Sequence, residues 1–158
     1  MTRVFQPRHE AYEERVRRSF SRQAFMSTLG ATLERVEPGA VLIRLPFRMN
    51  LTQQHGYLHA GAVAAILDSA CGYAALSLAP PKTTVLAVEF KINLLRPAIG
   101  RELFAHATVV RSGRTLSVCQ AECRADSMET DRIVALMQST IMSLEERENL
   151  SEDVEVAQ

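Results

Sequence analysis

A single acidic side chain interrupts a long apolar segment of this chain. The run from His59 to Leu78 is rich in alanine, contains no proline and carries one charge, that of Asp68. A buried carboxylate is costly unless it is paired, hydrogen-bonded or neutralised by a raised pKa. Asp68 could cap a backbone group or pair with an arginine from a strand. It could equally act as a general base or a nucleophile.

The start of the same segment is a second candidate for chemistry. His59-Ala60-Gly61 follows a polar loop that contains a glycine. At the start of a helix, unpaired backbone N–H groups and the positive end of the dipole can stabilise an oxyanion. The alternative is purely structural, with Gly61 allowing close packing in the first turn and His59 serving as the N-terminal cap.

Helical geometry limits how these two groups could cooperate. Asp68 follows His59 by nine residues, which is about 13.5 Å along the axis and half a turn away around it. The acid and the helix start of one chain therefore cannot act on one carbonyl. If they form one site, it lies between two chains, which predicts a functional dimer with two equivalent sites.

The elements around this helix predict an α+β domain. A helix over 9–29 precedes two strands joined at Pro38-Gly39, and a polar loop over 49–58 leads into the apolar helix. An antiparallel sheet wrapped around the one long helix is the arrangement that buries it. Open sheet edges favour pairing with a second copy. After Pro80 and Pro81, four strands are predicted over 83–95, 101–111, 114–125 and 132–143.

Composition excludes several classes of function. The chain has 18 Lys plus Arg and 18 Asp plus Glu, so it lacks the basic face that nucleic-acid binding needs. The first 20 residues contain no apolar stretch typical of a secretory signal, and no run is long enough to span a membrane. We therefore expect a cytoplasmic protein that binds neither nucleic acid nor membrane.

The remaining reactive side chains form no recognisable site. Cys119 and Cys123 are four residues apart in a strand, about 13 Å, which is too far for a disulfide. Cys71 is better explained as a core residue than as a nucleophile, because no histidine lies at a nearby helical offset. His9 and His106 lack the spacing of metal ligands, so no metal is expected.

Three stretches of the sequence resemble the PaaI-like hotdog acyl-CoA thioesterases. The run QQHGYLHAGAVAAILDSACGYAA matches their hallmark, His-Gly-Gly followed by an acid seven residues after the second glycine. Here the hallmark is His59-Ala60-Gly61 with Asp68. The stretch VEFKINLLRPAIG and the Arg-Ser-Gly-Arg-Thr hairpin are also similar, and the resemblance covers about residues 25 to 143.

The resemblance implies a role for each residue of the motif. Asp68 would activate water or attack the thioester carbonyl, and the Ala60 N–H would polarise that carbonyl. Gln53, six residues before His59, stands where relatives usually carry an asparagine that positions substrate or water. Ala87 stands where some relatives carry a small hydroxyl residue. The implied catalytic set is Gln53, His59, Ala60, Gly61 and Asp68.

The resemblance also implies a surface for coenzyme A. Two guanidinium groups beside a glycine can contact phosphate oxygens, which favours the hairpin formed by Arg111, Ser112, Gly113, Arg114 and Thr115. Arg96, before Pro97, is a weaker candidate, and Ala87 and Glu89 complete the implied substrate-binding set. Coenzyme A would enter only as part of the substrate, with no other cofactor.

The predicted function is therefore hydrolysis of a small aromatic or short- to medium-chain acyl-CoA by a homodimer or a dimer of dimers. General-base and covalent routes both stay open. A non-catalytic hotdog module that binds acyl-CoA or CoA is an alternative, because Gln53, Ala60 and Ala87 depart from the commoner pattern. An enoyl-CoA hydratase of the hotdog type is another, although no histidine accompanies Asp68 on one short segment.

The predicted division is a helical extension over 1–30, a hotdog thioesterase domain over 31–143 and a flexible acidic tail over 144–158.

Overall fold

A six-stranded antiparallel sheet packs against one long helix in the computed structural model, which describes residues 5–129 and 132–145. The strand order is β1-β2-β4-β5-β6-β3, so the strand that follows the long helix lies at one edge. This arrangement confirms the predicted α+β architecture. The elements are α1 (Tyr12–Ser21), α2 (Ala24–Leu29), β1 (Thr32–Glu37), β2 (Ala40–Pro46), a short 3-10 turn (Met49–Leu51), α3 (Ala60–Leu76), β3 (Thr83–Leu94), β4 (Glu102–Ser112), β5 (Leu116–Ala125) and β6 (Ile133–Glu145).

The long helix α3 forms the centre of the core on its sheet-facing side. Ile66, Leu67 and Ala70 are fully buried against the sheet. The helix ends at Leu76, before the prolines, and the Ser77 hydroxyl accepts a hydrogen bond from the Gly39 N–H at 2.8 Å. This bond ties the end of α3 to the first hairpin.

One face of α3 is less buried than the rest, although the nearly all-apolar run from His59 to Leu78 predicts burial on almost every side. The open positions recur every three or four residues, so they form one stripe along the helix. Asp68 belongs to this stripe, and so its carboxylate faces away from the main core. The stripe consists of Gly61, Ala64, Ala65, Asp68 and Gly72.

The N-terminal segment forms two helices where one was predicted over 9–29. The backbone of Gln23 is extended, with φ −78° and ψ 93°, and this residue separates α1 from α2. A continuous helix would point Val16 and Met26 about 80° apart, whereas the break lets both become buried. Helix α2 ends at Gly30, whose left-handed φ of 74° is the conformation that a glycine at a helix C-terminus commonly adopts.

Strand β3 has the predicted period of two, but its apolar side chains are exposed in a single chain. Leu86, Phe90 and Leu94 are 54%, 45% and 53% exposed. Because β3 pairs only with β6, its other edge has no strand beside it in the described part of the chain. The predicted open edge is therefore an apolar one.

The last hairpins follow the predicted pattern with small changes of boundary. The hairpin between β4 and β5 closes through a 2.8 Å hydrogen bond from the Gly113 N–H to the Leu116 carbonyl. Strand β6 runs to Glu145, two residues beyond the predicted end of the domain. The rest of the predicted acidic tail lies outside the described residues.

Candidate active site

The Asp68 carboxylate lines a cleft of about 250 Å³. Helix α3 forms one side of the cleft and the start of β3 forms another. Ser19 of α1 and Gln23, which lies between α1 and α2, form the third. Ala87, the position implied for a small hydroxyl residue, lines the same cleft. The start of β3 therefore lies beside Asp68 in the fold.

Among the described residues, Asp68 has neither a backbone group that it caps nor an arginine with which it pairs. Its Oδ1 atom is buried and has no hydrogen-bond partner among the described residues. Burial strips water from the carboxylate and raises the pKa of Asp68 above its ordinary value. A carboxylate left unpaired in this way can accept a proton, which is what a general base must do.

The first turn of α3 contains both a capping side chain, that of His59, and, in the described part of the chain, an unpaired backbone N–H, that of Ala60. The Nδ1 atom of His59 accepts a hydrogen bond from the Gly61 N–H at 2.8 Å, so His59 is the N-terminal cap. The N–H groups of Ala62 and Val63 donate to the His59 carbonyl. Within the described residues, the Ala60 N–H has no hydrogen-bond partner. It remains available to an oxyanion.

Gln53 and Ala60 line a second cleft, of about 380 Å³, together with Arg96. The Gln53 Oε1 atom accepts a hydrogen bond from the His55 N–H, which holds the side chain within its own loop. Arg96 donates from Nη1 to the Ile133 carbonyl at 2.9 Å. Three of the predicted site residues thus meet at the beginning of α3.

The two clefts are separate within one chain, since no residue lines both. Ala60 and Asp68 are eight residues apart, about 12 Å along the helix. The half-turn argued from His59 does not apply to Gly61, because seven steps of 100° place Gly61 within about 20° of Asp68. Distance along the axis, and not opposite orientation, keeps the two groups apart.

The predicted phosphate-binding hairpin lies at the Asp68 end of the sheet. Met142 pairs with Leu86 on one side and with Leu116, at the base of the hairpin, on the other. Arg111 and Arg114 are both exposed there. Arg96 follows β3 at the opposite end of the sheet.

Glu89 is held by a residue of the neighbouring strand β6. Its carboxylate accepts a hydrogen bond from the Thr140 hydroxyl at 2.7 Å, and its side chain lines neither cleft.

Sequence reasoning missed the N-terminal contribution to the Asp68 cleft. Ser19 and Gln23 line it, opposite Ser69 and Tyr73 of α3. No local pattern could identify these residues, because their contact with α3 spans about fifty residues of sequence. The only local sign of this contribution is Gln23 itself, a polar residue at the position where the structure interrupts the helix predicted over 9–29.

Another cavity, of about 510 Å³, lies apart from both clefts around His106 and Gln120. It contains no residue of the motif, and burial lowers the pKa of His106. In the described ranges, no group of three side chains could hold a metal ion, and no helix is long and apolar enough to cross a membrane.

Comparison with known proteins identifies relatives across most of the chain. Residues 55–131 match the family described as the Thioesterase superfamily. A Halobacterium salinarum protein that carries an esterase name is 34% identical over 60% of this chain and 66% of its own length. The chain spans less than two thirds of the curated relatives that it matches.

Solved structures extend the likeness to the fold. A thioesterase family protein from Silicibacter pomeroyi is 48% identical, covers 85% of this chain and 98% of its own, and superposes with a TM-score of 0.82. The Escherichia coli PaaI protein from the phenylacetic acid degradation operon is 20% identical, with 84% and 93% coverage and a TM-score of 0.76, a likeness of fold alone. The superfamily match spans α3 to β5, and the identity to the Silicibacter protein is 48% over nearly the whole of that protein. This chain therefore belongs to the thioesterase superfamily and has its hotdog fold.

Proposed function

We propose that this protein hydrolyses acyl-CoA thioesters, with a small aromatic or short- to medium-chain acyl group, to the free acid and coenzyme A. The observation that carries the proposal is the buried, unpaired Oδ1 atom of Asp68, which lines a cleft of about 250 Å³. An acid without a structural partner is typical of a reactive group. Superfamily membership supports the same chemistry.

Asp68 would act on the thioester in one of two ways. As a general base, it takes a proton from water while the water oxygen attacks the carbonyl carbon. The tetrahedral intermediate then expels the CoA thiolate, which receives the proton from Asp68. As a nucleophile, the carboxylate attacks directly, releases the thiolate and forms an anhydride, which water then hydrolyses.

The oxyanion would be held by the Ala60 N–H of a second copy of the chain. This donor has no partner among the described residues of its own chain, and about 12 Å of helix separates it from its own Asp68. The exposed apolar edge of β3 is the surface on which a second copy would pair, because burying Leu86, Phe90 and Leu94 removes them from water. A dimer would then contain two equivalent sites.

The CoA phosphates would be bound by arginines from both chains. Arg111 and Arg114 lie at the Asp68 end of one chain, whereas Arg96 lies near Ala60. A site composed of Asp68 from one copy and Ala60 from the other would bring these two groups of arginines to one ligand. Replacing Arg111 and Arg114 by alanine should raise KM for acyl-CoA more than it lowers kcat.

The central experiment measures thiol release from a panel of aromatic and medium-chain acyl-CoAs. Asp68→Asn should lower kcat by about 10²-fold or more, which is the contribution of a general base. Glu14→Gln, an exposed acid on α1, is the matched control and should retain the wild-type rate. Equal rates for the wild type and Asp68→Asn would exclude the mechanism, and tight CoA binding without turnover would favour the binding module.

Isotope labelling separates the two routes. In a single turnover in water enriched in oxygen-18, label in the Asp68 carboxylate requires the covalent route, with water attacking the aspartyl carbonyl of the anhydride. Attack on the acyl carbonyl would place the label in the product acid alone, and trapping the anhydride with hydroxylamine detects that case. The general-base route leaves that carboxylate unlabelled.

A further inference from the structure

Helix α1 and the break that follows it form one wall of the Asp68 cleft, and contacts of α1 fix the position of this wall. Arg15 donates from Nη1 to the carbonyls of Pro80 at 2.8 Å and Ala79 at 3.2 Å, beyond the end of α3. The rings of Phe20 and Tyr73 pack edge to face with centroids 5.6 Å apart. These contacts hold α1 against α3, so the side chains at the end of α1 have defined positions in the cleft.

Gln23 presents an amide to this cleft. It is the N-cap residue of α2, yet its side chain makes no capping hydrogen bond. Its Oε1 atom instead accepts hydrogen bonds from the Ser69 and Tyr73 hydroxyls, each at 3.4 Å. In the part of the chain that the structure describes, its Nε2 atom has no hydrogen-bond partner. A half-buried amide with free N–H groups is suited to donate to a ligand.

The position of Gln23 relative to Asp68 determines which part of a substrate it would meet. The cleft runs along α3 from Asp68 past Gly72 to Leu76, about 12 Å. Tyr73 lies five residues, about 7.5 Å, beyond Asp68 along the axis. With the thioester carbonyl at Asp68, the Gln23 amide would contact the acyl group several bonds away from that carbonyl.

We propose that Gln23 is a specificity-determining residue, which donates a hydrogen bond to an oxygen on the acyl group. This inference rests on the proposed thioesterase activity and narrows its substrate class. The preferred substrates are small acyl-CoAs that carry a hydroxyl or carbonyl oxygen several atoms from the thioester. The same acyl groups without that oxygen leave the amide unpaired in the cleft and are poorer substrates.

The test compares pairs of substrates that differ by one oxygen. Phenylacetyl-CoA is paired with its ring-hydroxylated forms, and hexanoyl-CoA with its hydroxyhexanoyl forms. Several positions of the added oxygen are compared for each acyl group. For the wild type, kcat/KM should be about five- to tenfold higher for the best oxygenated member than for the plain one. In Gln23→Met, which keeps the length of the side chain without its N–H groups, the ratio should fall to about one.

Two controls separate specificity from folding. Ser27→Ala, at an exposed position on α2, should keep the wild-type ratio. Circular dichroism and thermal unfolding of Gln23→Met, compared with the wild type, show whether the substitution leaves the fold intact. Should Gln23→Met fold poorly, Gln23→Glu, which has no donor when ionised, replaces it.

The outcomes also distinguish this inference from the proposed function. Turnover with the same ratio in wild type and Gln23→Met, or no oxygenated preference in the wild type, would overturn the role of Gln23 alone. If the wild type shows no turnover, the thioesterase proposal fails. In that case, the Kd values of the same substrate pairs are measured for the wild type and Gln23→Met. The ratio between the plain and the oxygenated member then decides the role of Gln23.

Discussion

The Nδ1 atom of His59 lies 2.8 Å from the backbone nitrogen of Gly61 and accepts its hydrogen bond. This contact closes the first turn of α3 and satisfies one of the N–H groups that a helix start leaves unpaired. The neighbouring Ala60 N–H has no such partner in the described chain. The motif therefore combines a capping residue with a free donor held in place by that cap.

Replacing His59 should separate its capping role from any chemical role. His59→Ala removes the acceptor and should lower the free energy of unfolding by about 1 kcal/mol. His59→Asn restores an acceptor that caps well and should recover most of this loss, together with activity. Thermal unfolding and thiol release measure both effects. Full stability in His59→Asn with activity still lost would assign the imidazole a direct role in the reaction.

Asp68→Asn should be more stable than the wild type above the pKa of Asp68. Because burial raises this pKa, the folded protein binds the proton more tightly than the unfolded chain does. The free energy of unfolding therefore falls as the pH rises through the raised pKa, and the neutral amide avoids that loss.

Urea unfolding of both proteins, near pH 8 and near pH 4, measures the difference. The gain from Asp68→Asn should be larger at about pH 8 than at about pH 4. Glu14→Gln, on the exposed face of α1, should show no comparable gain. An Asn variant that is less stable at the higher pH would mean that the charged carboxylate has a partner.

Local patterns were sufficient to predict the elements that surround the site. The apolar run after His59 predicted α3, and the alternation from Leu86 to Leu94 predicted β3, because both signals depend on neighbours in sequence. The hydrophobic alternation did not indicate that β3 would be an exposed edge, since strand order is decided by tertiary pairing. The open stripe on α3 is likewise decided by which elements pack against the helix, and the helical pattern alone does not indicate it.

The N-terminal wall could not be predicted for a related reason. The break at Gln23 lets Val16 and Met26 both become buried, and this depends on the shape of the surface beneath them. The contacts of Gln23 with Ser69 and Tyr73 join segments about fifty residues apart. Asp68, by contrast, could be identified because a charge in an apolar helix is unusual wherever that helix packs.

Gly72 should control the length of acyl group that the Asp68 cleft accepts. A Cβ atom added at Gly72 would meet no atom within 4 Å beyond the adjacent residues and backbone of its own helix, so the position has open space. Gly72→Ala should stabilise the protein by about 0.5–1 kcal/mol, because alanine is the better helix former. Gly72→Leu should fill the cleft and lower kcat/KM for hexanoyl-CoA more than for acetyl-CoA.

Unfolding measurements and a substrate series test the two Gly72 variants together. Sedimentation should show the wild-type assembly in each, so that a change of activity reflects the cleft. A uniform loss of activity for all acyl lengths in Gly72→Leu, with the assembly intact, would show that the acyl group lies elsewhere.

Mixing two inactive variants should restore activity if the site spans two chains. Ala60→Pro removes the free N–H, and proline is tolerated at the first position of a helix. The extended backbone of His59, with φ −63° and ψ 139°, suits a residue before proline. Each variant alone should have low activity, Ala60→Pro for lack of the donor and Asp68→Asn for lack of the acid.

In a mixed dimer, Asp68 from the Ala60→Pro chain faces the free Ala60 N–H of the Asp68→Asn chain. One of its two sites is then intact. Since half of the dimers formed from equal amounts are mixed, the activity should reach about a quarter of that of the wild type. Unfolding and refolding the chains together allows exchange, and the same chains refolded separately are the control. No recovery from a mixture shown to contain mixed dimers would mean that each chain carries its own complete site, because only a shared site can be rebuilt from two different defects.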